Sequence, residues 1–219
     1  MMNKIKILHK SFSKPISCLT AYSPSIANIL DGKVDLILVG DSLGSTLYGM
    51  NNTQGVTMDM MKNHGAAVNK KIKKSLKVLD MPYKTYDNKT DAYKNAKILL
   101  NHCKPDLLKI EISEKKLVVL KHLVDKKLNV ISHIGVTPQS YKNFNKIKVL
   151  GKTNKEKQNL LELAKKSETL GAKAVLLECV TSETAKLITE NISIPTIGIG
   201  ASKYCCLLYT SPSPRDLQG

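Results

Sequence analysis

The sequence predicts an α/β fold in which helices alternate with the strands of a parallel β-sheet. Its 219 residues suit one domain, and short strand-like runs alternate with amphipathic helical stretches along the chain. One run, residues 35–40, is apolar at almost every position, which is typical of a strand that is buried on both faces. Because parallel neighbours need crossover connections, this alternation favours helices packed around the sheet.

Seven strands are predicted, and they cover residues 16–20, 35–40, 76–80, 107–111, 129–133, 174–178 and 196–200. The predicted helices run from Ser23 to Gly32, over 57–74, from Thr90 to Cys103, over 117–128, through a segment that ends at Gly171, and over 182–191. The helical spacing of apolar residues and cap signals such as Ser23 before Pro24 support these bounds. Residues 42–56 are predicted to form a long loop.

The spacing of these units suits either a closed barrel or an open doubly wound sheet. No GxGxxG turn follows the first strand, which disfavours a dinucleotide-binding sheet. We therefore predict a (β/α)8 TIM barrel, a fold that typically has about 250 residues. The sequence lacks a recognisable eighth strand unit, so we expect the edges of the first and seventh strands to be exposed.

The last fifteen residues differ in composition from the rest of the chain. Residues 205–219 contain no lysine, although 33 lysines precede them, and they hold the one arginine, Arg215, beside a Ser-Pro-Ser-Pro run. We predict a single barrel domain over residues 1–204 and an anomalous, non-native tail over 205–219, from a truncated or chimeric reading of the gene. A natural disordered C-terminus is the alternative.

The net charge of +16 suggests a nucleic-acid partner as one hypothesis. The excess is almost entirely lysine spread over the predicted helices, aromatic residues make up 5% of the chain, and a single arginine is available for base reading. We therefore interpret the lysines as a solvated surface that attracts small anions, and we expect no nucleic-acid partner. A non-catalytic protein that binds RNA or anionic surfaces is the alternative, and it would lose affinity steeply with salt.

Targeting signals and cysteine usage indicate the compartment. No apolar run reaches the roughly 20 residues that span a bilayer, and residues 1–14 lack the apolar core of a secretory signal. The five cysteines form no CxxC pair, which fits a reducing cytosol better than a disulfide framework or a zinc site. We expect a cytoplasmic protein with no membrane partner.

Five consecutive predicted strands, from the second to the sixth, end in ionisable or ligating side chains. In strand order these are Asp41 with Ser42, Asp80, Glu111, His133 and Glu178. Because strand ends share one mouth in a parallel barrel, we expect one site rather than separate helix caps and loop groups. Carboxylates that converge there would repel one another without a cation between them, and their hard oxygens suit Mg²⁺ better than zinc.

Lys109 lies two residues before Glu111 and therefore points to the same face of its strand. This lysine would either hold an anionic carboxylate or form a Schiff base. A Mg²⁺ ion chelated by a 2-oxo acid acts as a Lewis acid and stabilises an enolate, while a carboxylate removes the neighbouring proton. The residues thus predict a metal-assisted enolate enzyme that acts on a small oxo acid.

Eight collinear stretches between about residues 14 and 205 carry family-specific motifs. They are 19–22, 39–44, 56–59 with His64, 80–82, 109–111, 133–140, 177–180 and 194–201. The Gly-Asp-Ser-Leu-Gly of 40–44 and the His-Ile-Gly-Val-Thr-Pro-Gln of 133–139 are the most specific. In these stretches the chain resembles the ketopantoate hydroxymethyltransferase family.

The resemblance implies a (β/α)8 barrel, Mg²⁺ dependence and a large homo-oligomer, commonly a decamer. It implies transfer of a hydroxymethyl unit from 5,10-methylenetetrahydrofolate to 3-methyl-2-oxobutanoate, which gives 2-dehydropantoate in pantothenate biosynthesis. By the family's pattern, the metal-binding residues would be Asp41, Asp80 and Glu111, with the first two binding the metal most directly. The oxo acid would be held by Asp41, Ser42, Asp80, Lys109 and His133. Glu178 would be the catalytic base that takes the C3 proton.

The chain departs from the family's pattern at several positions. Ile112, Ser113, Ser132 and Ser202 stand where the family usually has glycine. Two alternatives stay open beside the transferase. One is a related Mg²⁺-dependent lyase or mutase acting on phosphoenolpyruvate or an oxo acid, and the other is an inactive fragment of the transferase.

Overall fold

Eight parallel strands form a closed barrel in sequential order, which confirms the predicted (β/α)8 fold. The computed structural model describes residues 5–9, 16–205 and 207–209. The strands are β1 (Ile16–Thr20), β2 (Leu36–Val39), β3 (Leu76–Asp80), β4 (Leu107–Glu111), β5 (Val130–Gly135), β6 (Ala174–Glu178), β7 (Thr196–Ile199) and β8 (Leu207–Tyr209). The first seven coincide closely with the strands that the sequence predicts.

One short helix precedes β1, and the other helices lie in the connections between strands. They are α1 (Lys6–His9), α2 (Pro24–Leu30), α3 (Leu43–Tyr48), α4 (Met58–Asn69), α5 (Lys89–Cys103), α6 (Leu117–Asp125), α7 (Asn154–Thr169) and α8 (Ser182–Asn191). The Ser23 cap and Pro24 at the first helical position are confirmed. Helix α5 begins earlier than predicted, because Asn88 rather than Thr90 caps it by accepting the Asp91 N–H at 2.9 Å. In the described part of the chain, no helix combines the length and hydropathy needed to cross a bilayer.

The segment that the sequence predicts as a long loop, 42–56, contains helix α3. Its first two residues, Leu43 and Gly44, are buried. A Cβ on Gly44 would lie 2.6 Å from Cγ2 of Val56, so the close approach of the helix to the rest of the segment requires glycine. The helix has six residues, which is too short for the helical period of apolar residues to show in the sequence.

Strand β8 closes the barrel from within the tail, so the expected exposure of the edges of β1 and β7 is wrong. Its backbone pairs in parallel with β1 over residues 16–18 and with β7 over 197–198. A strand of three residues is too short for a sequence pattern, and its ladder uses backbone groups that any sequence carries. Among the described residues, no helix follows β8. The non-native origin of residues 205–219 stays a prediction.

Two apolar layers position the strands. The layer between strands and helices includes outward-facing residues such as Leu108 and Val175. The inner layer fills the barrel near the amino ends of the strands and takes in Leu8 of α1. Its strand residues are Cys18, Leu36, Leu38, Leu76, Val78, Leu107, Ile131, Ala174, Leu176 and Ile197. The barrel interior is therefore solid at this end, and any binding site must lie towards the carboxyl ends of the strands.

Candidate active site

Every side chain that the sequence places in the site lines one pocket at the carboxyl end of the barrel. The predicted residues that line it are Asp41, Ser42, Asp80, Lys109, Glu111, His133 and Glu178. Apolar side chains of the inner layer, including Leu38 and Leu176, form its floor. The pocket encloses about 30 Å³, which is room for about two water molecules.

Strand alternation and register bring these groups together. Residues 107, 109 and 111 of β4 share one face, so Leu107 lies in the apolar layer while Lys109 and Glu111 lie above it. Glu111 pairs with His133 across the β4–β5 ladder, and Asp80 pairs with Lys109 across β3–β4. Parallel pairing thus turns residues that are far apart in sequence into neighbours.

The two aspartates meet at the ends of β2 and β3. The Asp41 backbone N–H donates to Oδ2 of Asp80 at 3.1 Å, and both side chains are buried. Gly40 makes this approach possible, because a Cβ there would lie 3.3 Å from Oδ2 of Asp80 and 3.0 Å from Oγ of Ser42. The Ser42 hydroxyl does not cap α3 but lies 2.7 Å from the Tyr22 hydroxyl.

Lys109 links the aspartates to the histidine. Its Nζ lies 2.9 Å from Oδ1 of Asp80 and 3.2 Å from Nδ1 of His133. Burial, and then the charge of Lys109, lower the pKa of His133, so the imidazole is neutral at pH 7. Since an ammonium only donates, Nδ1 accepts and the imidazole proton lies on Nε2, which faces Oε2 of Glu178 at 3.3 Å.

The pocket holds more negative than positive charge. Burial, and then Asp80, raise the pKa of Asp41 to about 7, while burial and then Asp41 raise the pKa of Glu111 well above its usual value. Burial lowers the pKa of Lys109, but the surrounding carboxylates raise it to a net value above the usual one. Four buried carboxylates face one ammonium, so full ionisation would leave three negative charges without a counter-charge.

This donor set fits a hard divalent cation that keeps open positions. Within residues 5–9, 16–205 and 207–209, no three His, Cys, Asp or Glu side chains are arranged as a closed cage for a metal ion. Mg²⁺ does not need such a cage, because proteins commonly hold it through one or two carboxylates together with water and substrate oxygens. Asp41 and Asp80 both line the pocket, and the Asp41 backbone N–H binds Oδ2 of Asp80, so these two side chains would suit that arrangement.

Gln139 and Tyr86 belong to the site although no role was predicted for either. The Gln139 side chain donates to Oδ2 of Asp41 at 2.8 Å and accepts from the Tyr86 hydroxyl at 2.5 Å. Its backbone N–H donates to Oε1 of Glu111 at 3.0 Å. Gln139 ends a motif that the sequence shows, whereas the signal for Tyr86 is only its place in the loop after β3, at the same mouth.

His64, another motif residue, contributes from outside the pocket. Its Nδ1 lies 2.7 Å from the Tyr22 backbone oxygen, and its Nε2 lies 2.9 Å from the Tyr48 hydroxyl. Tyr22 in turn contacts Ser42. His64 therefore supports the residue that holds Ser42 and is not itself at the pocket.

A larger cavity of about 260 Å³ adjoins the acidic pocket. Glu111 lines both spaces, and Gln139 lines the larger one while its amide contacts Asp41 of the smaller one. The other lining residues include Gln54, Tyr83, Lys84, Tyr86, Lys116 and Ser140. A second, larger reactant could thus lie beside a small one in the acidic pocket.

Comparison with known proteins identifies the family. A family model described as ketopantoate hydroxymethyltransferase matches residues 2–206. The chain belongs to the ketopantoate hydroxymethyltransferase family. A 3-methyl-2-oxobutanoate hydroxymethyltransferase of Pelagibacter ubique is 45% identical over 206 residues, which are 93% of this chain and 79% of the relative. One of Anaplasma marginale is 42% identical and covers 94% of this chain and 74% of the relative. The predicted membership of a transferase enzyme family is confirmed.

Solved structures share the fold of this ketopantoate hydroxymethyltransferase family member at much lower identity. Oxaloacetate acetylhydrolase in complex with 3,3-difluorooxalacetate has a TM-score of 0.68 at 12% identity, over 89% of this chain and 69% of that chain. A 2,3-dimethylmalate lyase of the PEP mutase/isocitrate lyase superfamily has a TM-score of 0.67 at 11% identity, over 96% and 74%. This likeness concerns the fold alone.

Proposed function

We propose that this chain transfers a hydroxymethyl unit from 5,10-methylenetetrahydrofolate to 3-methyl-2-oxobutanoate, giving 2-dehydropantoate for pantothenate biosynthesis. The observation that carries the proposal is the convergence of Asp41, Asp80, Lys109 and Glu178 on one pocket in a chain of this family. The transfer forms one C–C bond at C3 of the oxo acid, and water supplies the oxygen of the new hydroxyl group. These groups supply what such a step needs: anion binding, charge stabilisation and a base.

Asp41 and Asp80 would hold Mg²⁺, with Glu111 beside them, since the three carboxylates line the pocket with one ammonium among them. The bound ion would act as a Lewis acid toward the 2-oxo group. Lys109 offers three N–H donors and would bind the carboxylate of the oxo acid. Its contact with Asp80 keeps this charge at the pocket, where an anionic substrate enters.

Glu178 would remove the proton from C3, and the electron pair of that bond would pass into the enolate. Its carboxylate is buried at the end of β6 and faces Nε2 of His133 at 3.3 Å. The neutral imidazole thus stands beside this carboxylate without adding a positive charge to the pocket. The contact of Lys109 with Nδ1 holds the ring in the tautomer that is protonated at Nε2.

The larger cavity is the proposed place for the folate donor. It adjoins the acidic pocket at Glu111 and carries two lysines, Lys84 and Lys116, beside two tyrosine rings. Lys116 Nζ lies 4.6 Å from the centroid of the Tyr86 ring. Aromatic rings suit the flat pterin and lysines suit its anionic glutamate tail. The enolate carbon would then meet the one-carbon unit at the border of the two spaces.

A homo-oligomer in the cytoplasm, without nucleic-acid partners, completes the proposal. Ile26 and Ile29 lie on one face of α2 and are 46% and 55% exposed, which suits a contact between subunits. Among the described residues, Cys18 and Cys103 are buried cysteines outside any disulfide, which suits a reducing compartment. Sedimentation of the purified chain gives the subunit number, and a monomer at micromolar concentration would contradict the oligomer.

The test of the function uses 3-methyl-2-oxobutanoate labelled with tritium at C3. We expect Mg²⁺-dependent release of the label without folate, and Mg²⁺-dependent formation of 2-dehydropantoate once the donor is added. Asp41→Ala is expected to abolish both reactions, because it removes a proposed ligand from the pocket. Full activity of Asp41→Ala would refute the metal assignment.

Turnover of other oxo acids or of phosphoenolpyruvate, with no effect of folate, would favour the lyase or mutase alternative. A folded chain that neither releases the label nor forms product would indicate an inactive fragment. Circular dichroism and sedimentation on the same sample establish whether the chain is folded. These outcomes distinguish the three hypotheses: the transferase, the lyase or mutase, and the inactive fragment.

A further inference from the structure

Gln139 forms a buried hub between the acidic pocket and the larger cavity. Its side chain is 5% exposed and belongs to the turn that follows β5. The amide nitrogen donates to Oδ2 of Asp41 at 2.8 Å and to the Met81 backbone oxygen at 3.0 Å. Both N–H groups of the amide are therefore used on acceptors that belong to the ends of β2 and β3.

The orientation of this amide follows from its partners. The Met81 backbone oxygen can only accept, so the nitrogen must face it and the amide oxygen must face Tyr86. The Tyr86 oxygen accepts the Glu111 backbone N–H at 3.2 Å, and its own proton goes to the amide oxygen of Gln139. Each donor in this series of hydrogen bonds has one acceptor, so the Gln139 amide has a single favourable orientation.

The backbone of Gln139 acts on a second carboxylate. Its N–H donates to Oε1 of Glu111 at 3.0 Å, and its carbonyl oxygen accepts from Nε2 of Gln54 at 2.8 Å. One residue thus fixes an oxygen of Asp41 through its side chain and an oxygen of Glu111 through its backbone. The backbone N–H of Asp41 in turn binds Oδ2 of Asp80, so the third carboxylate is linked to the same hydrogen-bond network.

We propose that Gln139 is a positioning residue that holds the Asp41 and Glu111 carboxylates in the orientation that receives a divalent cation. The proposal rests on the proposed function, because it assigns Gln139 to that same metal-binding pocket. Residues that hydrogen-bond metal ligands from outside commonly change metal affinity tenfold to a hundredfold when they are replaced. A residue that only fills space would not change affinity in this way once the protein is folded.

Binding of Mn²⁺, followed by electron paramagnetic resonance, tests the proposal without relying on turnover. Gln139→Met keeps the length of the side chain and the backbone N–H but removes the amide. We expect a loss of Mn²⁺ affinity of about tenfold or more in the folded variant, together with a lower kcat. Gln158→Met, on the exposed face of α7, is the matched control and should keep the affinity of the unchanged chain.

Gln139→Asn provides a second route if Gln139→Met does not fold, because it keeps the amide but shortens the side chain by one carbon. Tyr86→Phe removes only the hydroxyl that orients the amide, and we expect a smaller loss of affinity in the same direction. Unchanged Mn²⁺ affinity in a folded Gln139 variant would overturn the proposal. Absence of Mn²⁺ binding by the unchanged chain would instead contradict the metal-dependent function itself.

Discussion

The two ends of the barrel interior have opposite chemistry although the same strands build both. Towards the amino ends, the inward-facing residues are apolar, such as Leu76, Leu107 and Ala174. Towards the carboxyl ends, the inward-facing residues of the same three strands are Asp80, Lys109 with Glu111, and Glu178. Each strand therefore changes from apolar to ionisable along one face, within five residues.

The apolar end of the barrel interior stabilises the fold, whereas the ionisable end carries the groups for the proposed chemistry. Burial of leucine and valine side chains at the amino end contributes favourable free energy in proportion to the apolar area removed from water. Burial of ionised carboxylates at the carboxyl end opposes folding because it removes their hydration, and the raised pKa values of Asp41 and Glu111 result from that cost. Substitutions at the carboxyl end should therefore mainly lower activity, whereas substitutions at the amino end should mainly lower stability.

The largest expected effect is on catalysis at the carboxyl end. Glu178→Gln removes the proposed base but keeps a side chain of the same shape. We expect tritium release from C3 of 3-methyl-2-oxobutanoate to slow by about 10²- to 10⁴-fold, with little change in thermal stability. Release at the rate of the unchanged chain would show that another group takes the proton.

A substitution at the amino end should do the reverse. Leu107 is 1% exposed and lies two residues before Lys109 on the same strand face. We expect Leu107→Ala to lower the free energy of unfolding by roughly 2–5 kcal/mol, through lost burial and the cavity left behind. Urea denaturation measures this loss, and kcat of the folded fraction should be retained. A large loss of kcat without a loss of stability would contradict the division between the two ends.

The acidic pocket should also make stability depend on pH. The pKa of Asp41 is about 7 in the folded protein and about 3.9 in an unfolded chain. At Asp41 the folded state therefore binds more protons than the unfolded state between these values, so the contribution of Asp41 to the stability of the metal-free protein falls as pH rises from about 4 to 7. The expected loss is on the order of 1–4 kcal/mol.

Urea denaturation at several pH values between about 4 and 7, with EDTA present, measures how the free energy of unfolding changes with pH. In Asp41→Asn, the fall of this free energy with rising pH should be smaller. Glu111 contributes in the same direction, so part of the slope should remain in that variant. Added Mg²⁺ should offset the loss at pH 8, by about 2.7 kcal/mol at 100 times its dissociation constant. An Asp41→Asn variant whose stability has the same pH dependence as that of the unchanged chain would contradict the raised pKa of Asp41.

The smallest effect is expected on the outer surface, away from both ends. Lys121 and Asp125 form an ion pair of 2.7 Å on α6, and both side chains are more than half exposed. Solvent and salt weaken such pairs, so Lys121→Ala should change the free energy of unfolding by less than about 0.5 kcal/mol. A change above about 1 kcal/mol in the same urea assay would show that a surface ion pair contributes more to stability than expected.

Much of the site could be predicted because it depends on local patterns. An apolar run that ends in an ionisable residue marks both the strand and its carboxyl end, as at residues 76–80 and 174–178. The predicted site residues therefore meet in one pocket as soon as the strands close into a barrel. Their chemical roles stay predictions until the substitutions are measured.

The contacts of Gln139 could not be predicted in the same way. Its partners Tyr86 and Asp41 lie 53 and 98 residues away in the sequence. Helix α3 and strand β8 were missed for a related reason, since segments of six and three residues carry too little pattern. These elements form because neighbouring parts of the barrel provide the surfaces and backbone groups with which they pair.

The amino-acid sequence alone determined which residues form strands, which face of each strand is apolar, and that ionisable groups end five strands in a row. Those properties follow from the two-residue period of a strand, which needs no knowledge of distant parts of the chain. Only the tertiary structure decided how the barrel closes, which groups hydrogen-bond the buried carboxylates, and that Gln139 binds two of them. Hydrogen bonds act over about 3 Å, so such contacts exist only once the fold has brought distant residues together.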